Sequence, residues 1–337
     1  MFGADRIPIV LLTGHLGSGK TTLLNDYLSA PEVEPTLVII NEFGEVGLDH
    51  QLVRQTDENV VLMENGCICC SVRGDLVETL KDLHVDLRKG RLTPFGRVVI
   101  ETTGLADPVP VVHSMMNDFQ VMMAYELTAI VALVDAVNGA SVLGKYPEAV
   151  RQVGLADRVC LSKTDLATPE AIDTFRTLIA HTNPGVPVTL RTPGRIDREL
   201  FETRFHDTSG KTDIERWLGR AGGQATSLHG AGGDIRSTAI IRDMPVNWDA
   251  VSHWIDLLVA AHGPNLLRVK GLLNIDGAER PSVIHGIQHL FHPPEELAAW
   301  PSQDRRTRIV CIVDGVPTDE IHALFTEAEA MPRSVPA

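Results

Sequence analysis

The chain has 337 residues, 44% hydrophobic and 22% charged, with a formal net charge of −14. That length supports two cores, and the acidic balance argues against nucleic acid, whose phosphates demand a basic surface. No run approaches the roughly 18 apolar residues that cross a bilayer, and no signal peptide is expected, because the first apolar stretch holds Pro8 and passes straight into a glycine-rich turn.

Ile7 to Thr13 is a short apolar run that reads as a buried parallel strand. Gly14-His15-Leu16-Gly17-Ser18-Gly19-Lys20-Thr21 follows at once and fits the pattern G-x-x-x-x-G-K-[ST], and Thr22 to Leu28 has helical apolar spacing. Strand, glycine-rich turn and helix are the context of a phosphate-binding P-loop. Glycines let the backbone wrap closely enough for successive N–H groups to point at phosphate oxygens, and the helix N-terminus adds its positive end. Lys20 then neutralises the β- and γ-phosphates, and Thr21 offers its hydroxyl to Mg²⁺. The plainer alternative is a tight strand-to-helix turn.

Further strands are expected at 36–40, 60–63, 97–100, 129–134, 158–161 and 186–190, alternating with polar or helical stretches. That alternation is the signature of a mostly parallel α/β sheet with helices on both faces, and ligands bind such sheets beyond the carboxyl ends of the strands. After the second strand, Asn41 to Asp49 carries Glu42 and Glu45 between glycines, either a mobile acidic loop able to approach a cation or a solvated turn. Glu42 is placed in the catalytic set with Lys20 and Glu101.

The chain holds five cysteines, three of them in Gly66-Cys67-Ile68-Cys69-Cys70, too few and too bunched for a disulfide framework. They suggest a reducing cytoplasm and a metal or redox role. Thiolates bind Zn²⁺ or Cu(I) tightly. Adjacent Cys69 and Cys70 hardly both complete one tetrahedral site, so a further ligand comes from Glu45, a water or a partner protein. The rival readings are small buried hydrophobes or a redox pair, although C-x-C and C-C are not redox spacing.

Glu101 closes the strand at 97–100 and leads Thr102-Thr103-Gly104-Leu105-Ala106-Asp107-Pro108. A carboxylate there holds Mg²⁺ through water or orients the attacking water, and Gly104 lets a backbone N–H approach the γ-phosphate. A helix N-terminus capped by Thr102, Thr103 or Asp107 is the alternative, and both readings are compatible. Ser162-Lys163-Thr164-Asp165 stands where P-loop GTPases carry [N/S/T]-K-x-D. The Asp165 carboxylate accepts from the guanine N1–H and exocyclic amine, and the stem of Lys163 packs over the base.

From 192 to 236 the pattern loosens, and Gly219-Arg220-Ala221-Gly222-Gly223-Gln224 and Gly230-Ala231-Gly232-Gly233 read as flexible linker. A strand at 237–242, a helix over 248–261 capped by Asn247, strands at 266–275, 282–291 and 307–313 and a closing helix at 318–330 predict a smaller α+β domain. The expected divisions are 1–195, a junction at 196–236, and 237–330. On a strand, His285 and His289 share a face and His292 lies on the other. They read as metal ligands, as contacts reporting the nucleotide state, or as hydrogen-bonded structural histidines.

Taken in order, G-x-x-G-S-G-K-T-T-L-L, N-E-F-G-E-V-G-L-D, G-C-I-C-C, E-T-T-G-L-A-D-P and S-K-T-D resemble the CobW family of P-loop GTPases over the first 190 residues. R-V-K-G and an H-G-x-Q-H-like stretch extend the resemblance, less sharply, into the C-terminal part. The family includes zinc chaperones, a cobalamin-biosynthesis protein and cobalt- or iron-related activators. The resemblance implies that Cys67, Cys69 and Cys70 bind metal, that Gly17 to Thr22 hold phosphate and Mg²⁺, and that Glu101 is the Walker B-like acid. Relatives carry a histidine-rich stretch near the domain junction, where this chain has only His206 and His229, so transfer of a single ion is expected rather than storage.

The expectation is a cytoplasmic GTPase, slow without metal or client, that binds GTP or GDP with Mg²⁺. It carries Zn²⁺, with Co²⁺ and Fe²⁺ as alternatives, to a client metalloprotein, and a homo-oligomer is allowed. The competing readings are a cobalt or cobalamin-pathway GTPase, a small-molecule P-loop kinase, and a metal sensor that binds nucleotide without hydrolysing it.

Overall fold

The computed structural model describes residues 6–30, 33–41, 60–63, 72–192, 195, 197–202, 226–230 and 233–331. The chain divides into two compact units. In order, its first part runs β1 (Ile7–Gly14), α1 (Lys20–Leu28), β2 (Thr36–Asn41), β3 (Val60–Met63), α2 (Val72–Arg88), β4 (Arg97–Thr102), α3 (Val109–Asn117), α4 (Phe119–Ala124) and β5 (Tyr125–Asp135). Then come α5 (Gly139–Lys145), α6 (Pro147–Leu155), β6 (Arg158–Ser162), α7 (Pro169–Thr182), β7 (Val188–Leu190) and α8 (Glu199–Glu202).

The first unit is built on a seven-stranded sheet of order β3-β2-β4-β1-β5-β6-β7, and every pairing in it is parallel. Parallel strands buried on both faces read as continuous apolar runs, and Ile9 to Leu12 are each at most 1% exposed. On one face Val10, Leu12, Val38, Val99, Val131 and Leu133 pack with Leu23, Leu24 and Tyr27 of α1 and with Leu200 and Phe201 of α8. The alternate residues Leu11, Ile39, Ile100 and Ile130 are as fully buried, so both faces of the sheet are covered. The order makes β1 central, with β4 and β5 beside it, so the carboxyl ends of these strands deliver their loops to one place.

The second unit holds α6 and most of α7, and continues with β8 (Thr226–Gly230), β9 (Gly233–Arg242), α9 (Trp248–His262), β10 (Leu266–Leu273), β11 (Ser282–Ile287), β12 (Leu290–Phe291), β13 (Glu295–Glu296), β14 (Thr307–Asp314) and α10 (Thr318–Ala330). Its antiparallel sheet has the order β12-β11-β10-β14-β9-β8, with β13 against β11. One face packs Val269, Leu273, Ile309, Cys311 and Val313 against Trp254, Leu258, Ile321 and Phe325 of α9 and α10. The Trp254 and Phe325 rings meet edge to face with centroids 5.3 Å apart. Asn247 caps α9 as expected, its side chain accepting from Asp249 N at 2.7 Å.

The expected fold, a parallel P-loop sheet followed by a smaller α+β domain, is what the chain forms. Two local expectations are corrected. Gly230 and Gly233, expected in a linker, are instead strand residues that pair with each other in the antiparallel β8–β9 ladder. Gly219 to Gln224 lies outside the described residues. The single strand expected at 282–291 is instead the hairpin β11–β12, because Gln288 takes φ 53 and reverses the chain.

Candidate functional site

The phosphate loop is built by the exit from β1. Gly14 has φ 142, a conformation that L side chains rarely adopt. A Cβ there would also stand 2.9 Å from Ser18 Oγ and collide with the Leu133 carbonyl. Ser18 N donates to His15 O at 3.1 Å, and Gly19, at φ 94, starts α1 with no side-chain cap and no acid in the first turn. A helix start without a carboxylate cap is one whose positive end suits an anion. Lys20 is buried, and its ammonium lies over the same loop, donating to Gly14 O at 2.8 Å and His15 O at 3.5 Å.

Glu101 is delivered to this loop by the pairing of β4 with β1, in which it sits opposite Leu12. Its buried carboxylate accepts from Thr21 Oγ1 at 3.0 Å, and one residue on Thr102 Oγ1 donates to Thr13 Oγ1 at 2.9 Å. Hydroxyl and carboxylate oxygens are the hard donors that Mg²⁺ takes, so the Thr21–Glu101 pair fits that ion. The next segment is pressed against the P-loop backbone: a Cβ on Gly104 would lie 2.7 Å from Leu16 Cα. The close approach that Gly104 permits within the protein is to Leu16. Asp107 does serve as a cap for α3, accepting from Val109 N at 3.0 Å.

The expected base-recognition segment is anchored to the same loop. Ser162 Oγ donates to Ser18 O at 2.6 Å, and Thr164 Oγ1 donates to Arg191 O at 2.7 Å. Lys163 Nζ reaches the carboxylate of Asp135 at 2.6 Å, while Asp165 is exposed. Burial alone would raise the Asp135 carboxyl, but hydrogen bonds from Lys163, Val137 N and Asn138 outweigh it and hold the group below the usual carboxylate range. Arg191 pairs with Asp26 of α1 and lies beside Gly19. Asp135 and Arg191 escaped the sequence reading. Each is the polar residue at the end of a parallel strand, a position that in such sheets is worth inspecting even without a motif.

The structure thus brings together Gly14, Ser18, Gly19, Lys20, Thr21, Glu101, Gly104, Ser162 and Lys163, whereas Gly17, Thr22 and Asp165 are exposed beside them. Glu42, Glu45, Cys67, Cys69 and Cys70 lie outside the described residues. The remaining two cysteines, Cys160 and Cys311, are buried, and burial pushes the Cys160 thiol up to about 12 and Cys311 higher still. Neither is a thiolate at neutral pH.

The expected arrangement of the histidines is overturned. The turn at Gln288 brings His292 back across from His285, whose carbonyl accepts from His292 N at 3.0 Å. The two rings stack with centroids 3.9 Å apart, while His289 sits at the turn.

Residues 8–189 match the model of the CobW/HypB/UreG nucleotide-binding domain, and residues 235–329 match the cobalamin synthesis protein cobW C-terminal domain. The zinc chaperone YjiA of Escherichia coli K12 is 35% identical over 321 residues, which cover 95% of this chain and 98% of that protein. The zinc chaperone CobW of Pseudomonas aeruginosa is 26% identical over 346 residues, covering 91% of this chain and 87% of the relative. The crystal structure of Zn(II)-bound YjiA GTPase superposes with a TM-score of 0.71 at 30% identity, over 96% of this chain and 99% of that one. The chain belongs to the CobW/HypB/UreG family, as a nucleotide-binding domain followed by a CobW C-terminal domain.

Proposed function

We propose that this chain, a GTPase of that family, is a metallochaperone whose nucleotide state decides whether it holds a divalent transition metal. The cargo is Zn²⁺ in the first place, with Co²⁺ and Fe²⁺ as metals that thiolates also accept. Cys67, Cys69 and Cys70 hold the ion with Glu45, and a client metalloprotein receives it. The observation that carries the reading is the Lys20–Thr21–Glu101 constellation at the uncapped start of α1, with Gly104 seated on the loop. In sequence the cysteine loop lies between the acidic loop after β2 and the segment after Glu101. The strands that precede these flanks, β2 and β4, are neighbours in the sheet, and β4 lies beside β1. The zinc chaperone relatives and the zinc-bound neighbour support the choice of cargo.

In this reading Lys20 leaves the carbonyls of Gly14 and His15 for the β- and γ-phosphates. Thr21 and Glu101 hold Mg²⁺, which neutralises charge developing on the phosphates. Glu42 joins Lys20 and Glu101 in the catalytic set. Asp165 accepts from the guanine N1–H and amine, which adenine does not present in that arrangement. The terminal phosphate orders the acidic loop and the segment after Glu101, which brings Glu45 to the thiolates, and hydrolysis lets both relax and releases the ion.

Coupling of this kind is reciprocal. Titrating a non-hydrolysable GTP analogue into zinc-loaded and zinc-free protein tests it. Zinc tightens the analogue by about 5- to 100-fold if the sites are coupled, and equal affinities refute the mechanism.

A further inference from the structure

We propose that Asp135, the last residue of β5, is a positioning residue for base selection, acting through Lys163 to fix how the Ser162–Asp165 segment presents the Asp165 carboxylate. The inference rests on the reading of that segment as the guanine-recognition element. Lys163 has φ 54, and among the described residues only Gln288 shares a positive φ without being glycine. A lysine gains nothing locally from the left-handed region, so the surroundings hold it there.

The restraints are visible one by one. Ala136 N donates to Ser162 O at 3.0 Å, which ties the ends of β5 and β6 together. Ser162 is bound to Ser18 and Thr164 to Arg191, and Leu166 N donates to Lys163 O at 3.1 Å, closing the turn around Asp165. The Lys163 side chain is held by Asp135 Oδ2 at 2.6 Å.

That carboxylate is itself held by hydrogen bonds on both oxygens. Its Oδ1 accepts from Val137 N at 2.8 Å and Asn138 N at 3.2 Å, and its Oδ2 accepts from Asn138 Nδ2 at 3.2 Å. A fixed acceptor fixes the ammonium, and the ammonium fixes a backbone that would otherwise leave the left-handed region. Every residue of the segment except Asp165 is thus anchored, and Asp165 two positions on inherits its direction. An asparagine at 135 keeps its one oxygen for the two amides and puts an NH₂, which cannot accept, where Oδ2 now takes the Lys163 ammonium. The substitution therefore weakens one link and spares the loop around it.

The test is the affinity of the full-length chain for GDP and ADP, compared among wild type, Asp135→Asn, Lys163→Met, the double variant and Asp165→Asn. Diphosphates keep hydrolysis out of the measurement. Asp135→Asn is expected to reduce the preference for GDP over ADP by about 10-fold, the value of one charge-assisted hydrogen bond, with ADP affinity unchanged. A merely structural defect would lower both nucleotides together. The double variant is expected to lose no more than Asp135→Asn alone, because the two side chains act as one unit. A wild-type preference in Asp135→Asn, or additive losses in the double variant, overturns the proposal. Asp165→Asn separates the two levels: if it too leaves the preference intact, the guanine reading itself fails. If it abolishes the preference while Asp135→Asn does not, only the role of Asp135 is lost.

Discussion

Gly104 and Lys20 show what single residues contribute to this site. A methyl group on Gly104 meets the Leu16 backbone, which cannot rotate away as a side chain tip would. Gly104→Ala is therefore expected to cost about 1–3 kcal/mol of stability through overpacking and to weaken GTP binding along with it, read from thermal unfolding and a nucleotide titration. Lys20 is the positive charge that the loop keeps ready for phosphate. Lys20→Ala is expected to lower GTP affinity by about 10- to 100-fold, the range for a hydrogen bond to a charged group, without unfolding the chain. Both residues were legible in the sequence because the P-loop pattern fixes residue type and spacing together. Asp135 was not, because one carboxylate at a strand end has no spacing to read. Its importance appears only when Lys163, 28 positions away in sequence, is found against it.

Among the elements, the apolar strand centres were legible and the polar ends were not. The sequence places the fifth strand at 129–134, yet β5 begins at Tyr125. Glu126 and Thr128 hide the start, although each is provided for: Thr128 Oγ1 donates to Ile9 O at 3.0 Å, and Glu126 lies 3.4 Å from Arg6. The β11–β12 hairpin was missed for a related reason, since Gln288 is not among the residues that favour a turn. Two predictions belong to this scale. Cys160 in β6 and Cys311 in β14 are buried and protonated. Brief alkylation of the native chain should therefore leave these two thiols unmodified; rapid labelling of either would contradict this. At the entrance to β14, hydrogen bonds from the Arg306 guanidinium and then its backbone N–H outweigh burial and hold Asp304 down at about 2. A depressed carboxyl stabilises the fold above its unfolded pKa, about 3.9, and that contribution is lost as pH falls through the folded value. Unfolding measured from pH 5 to pH 2 should show this loss. Asp304→Asn should flatten it and cost at most about 1 kcal/mol at pH 7, because solvent screens the pair.

One chain combines a GTPase unit with a CobW C-terminal domain, and in the proposed mechanism metal retention follows the nucleotide. Thermodynamic linkage requires that a phosphate which favours metal be favoured by metal in turn. Zinc and a GTP analogue added together should therefore raise the unfolding temperature more than the sum of their separate shifts, whereas independent sites give additive shifts. The most direct test is the zinc dissociation constant of the full-length chain, measured with a non-hydrolysable GTP analogue, with GDP, and without nucleotide, and repeated for Cys69→Ala. Binding is expected to be tightest with the analogue, by about 10-fold or more over GDP, and Cys69→Ala is expected to lose that difference. Zinc held equally tightly in all three states would contradict the mechanism.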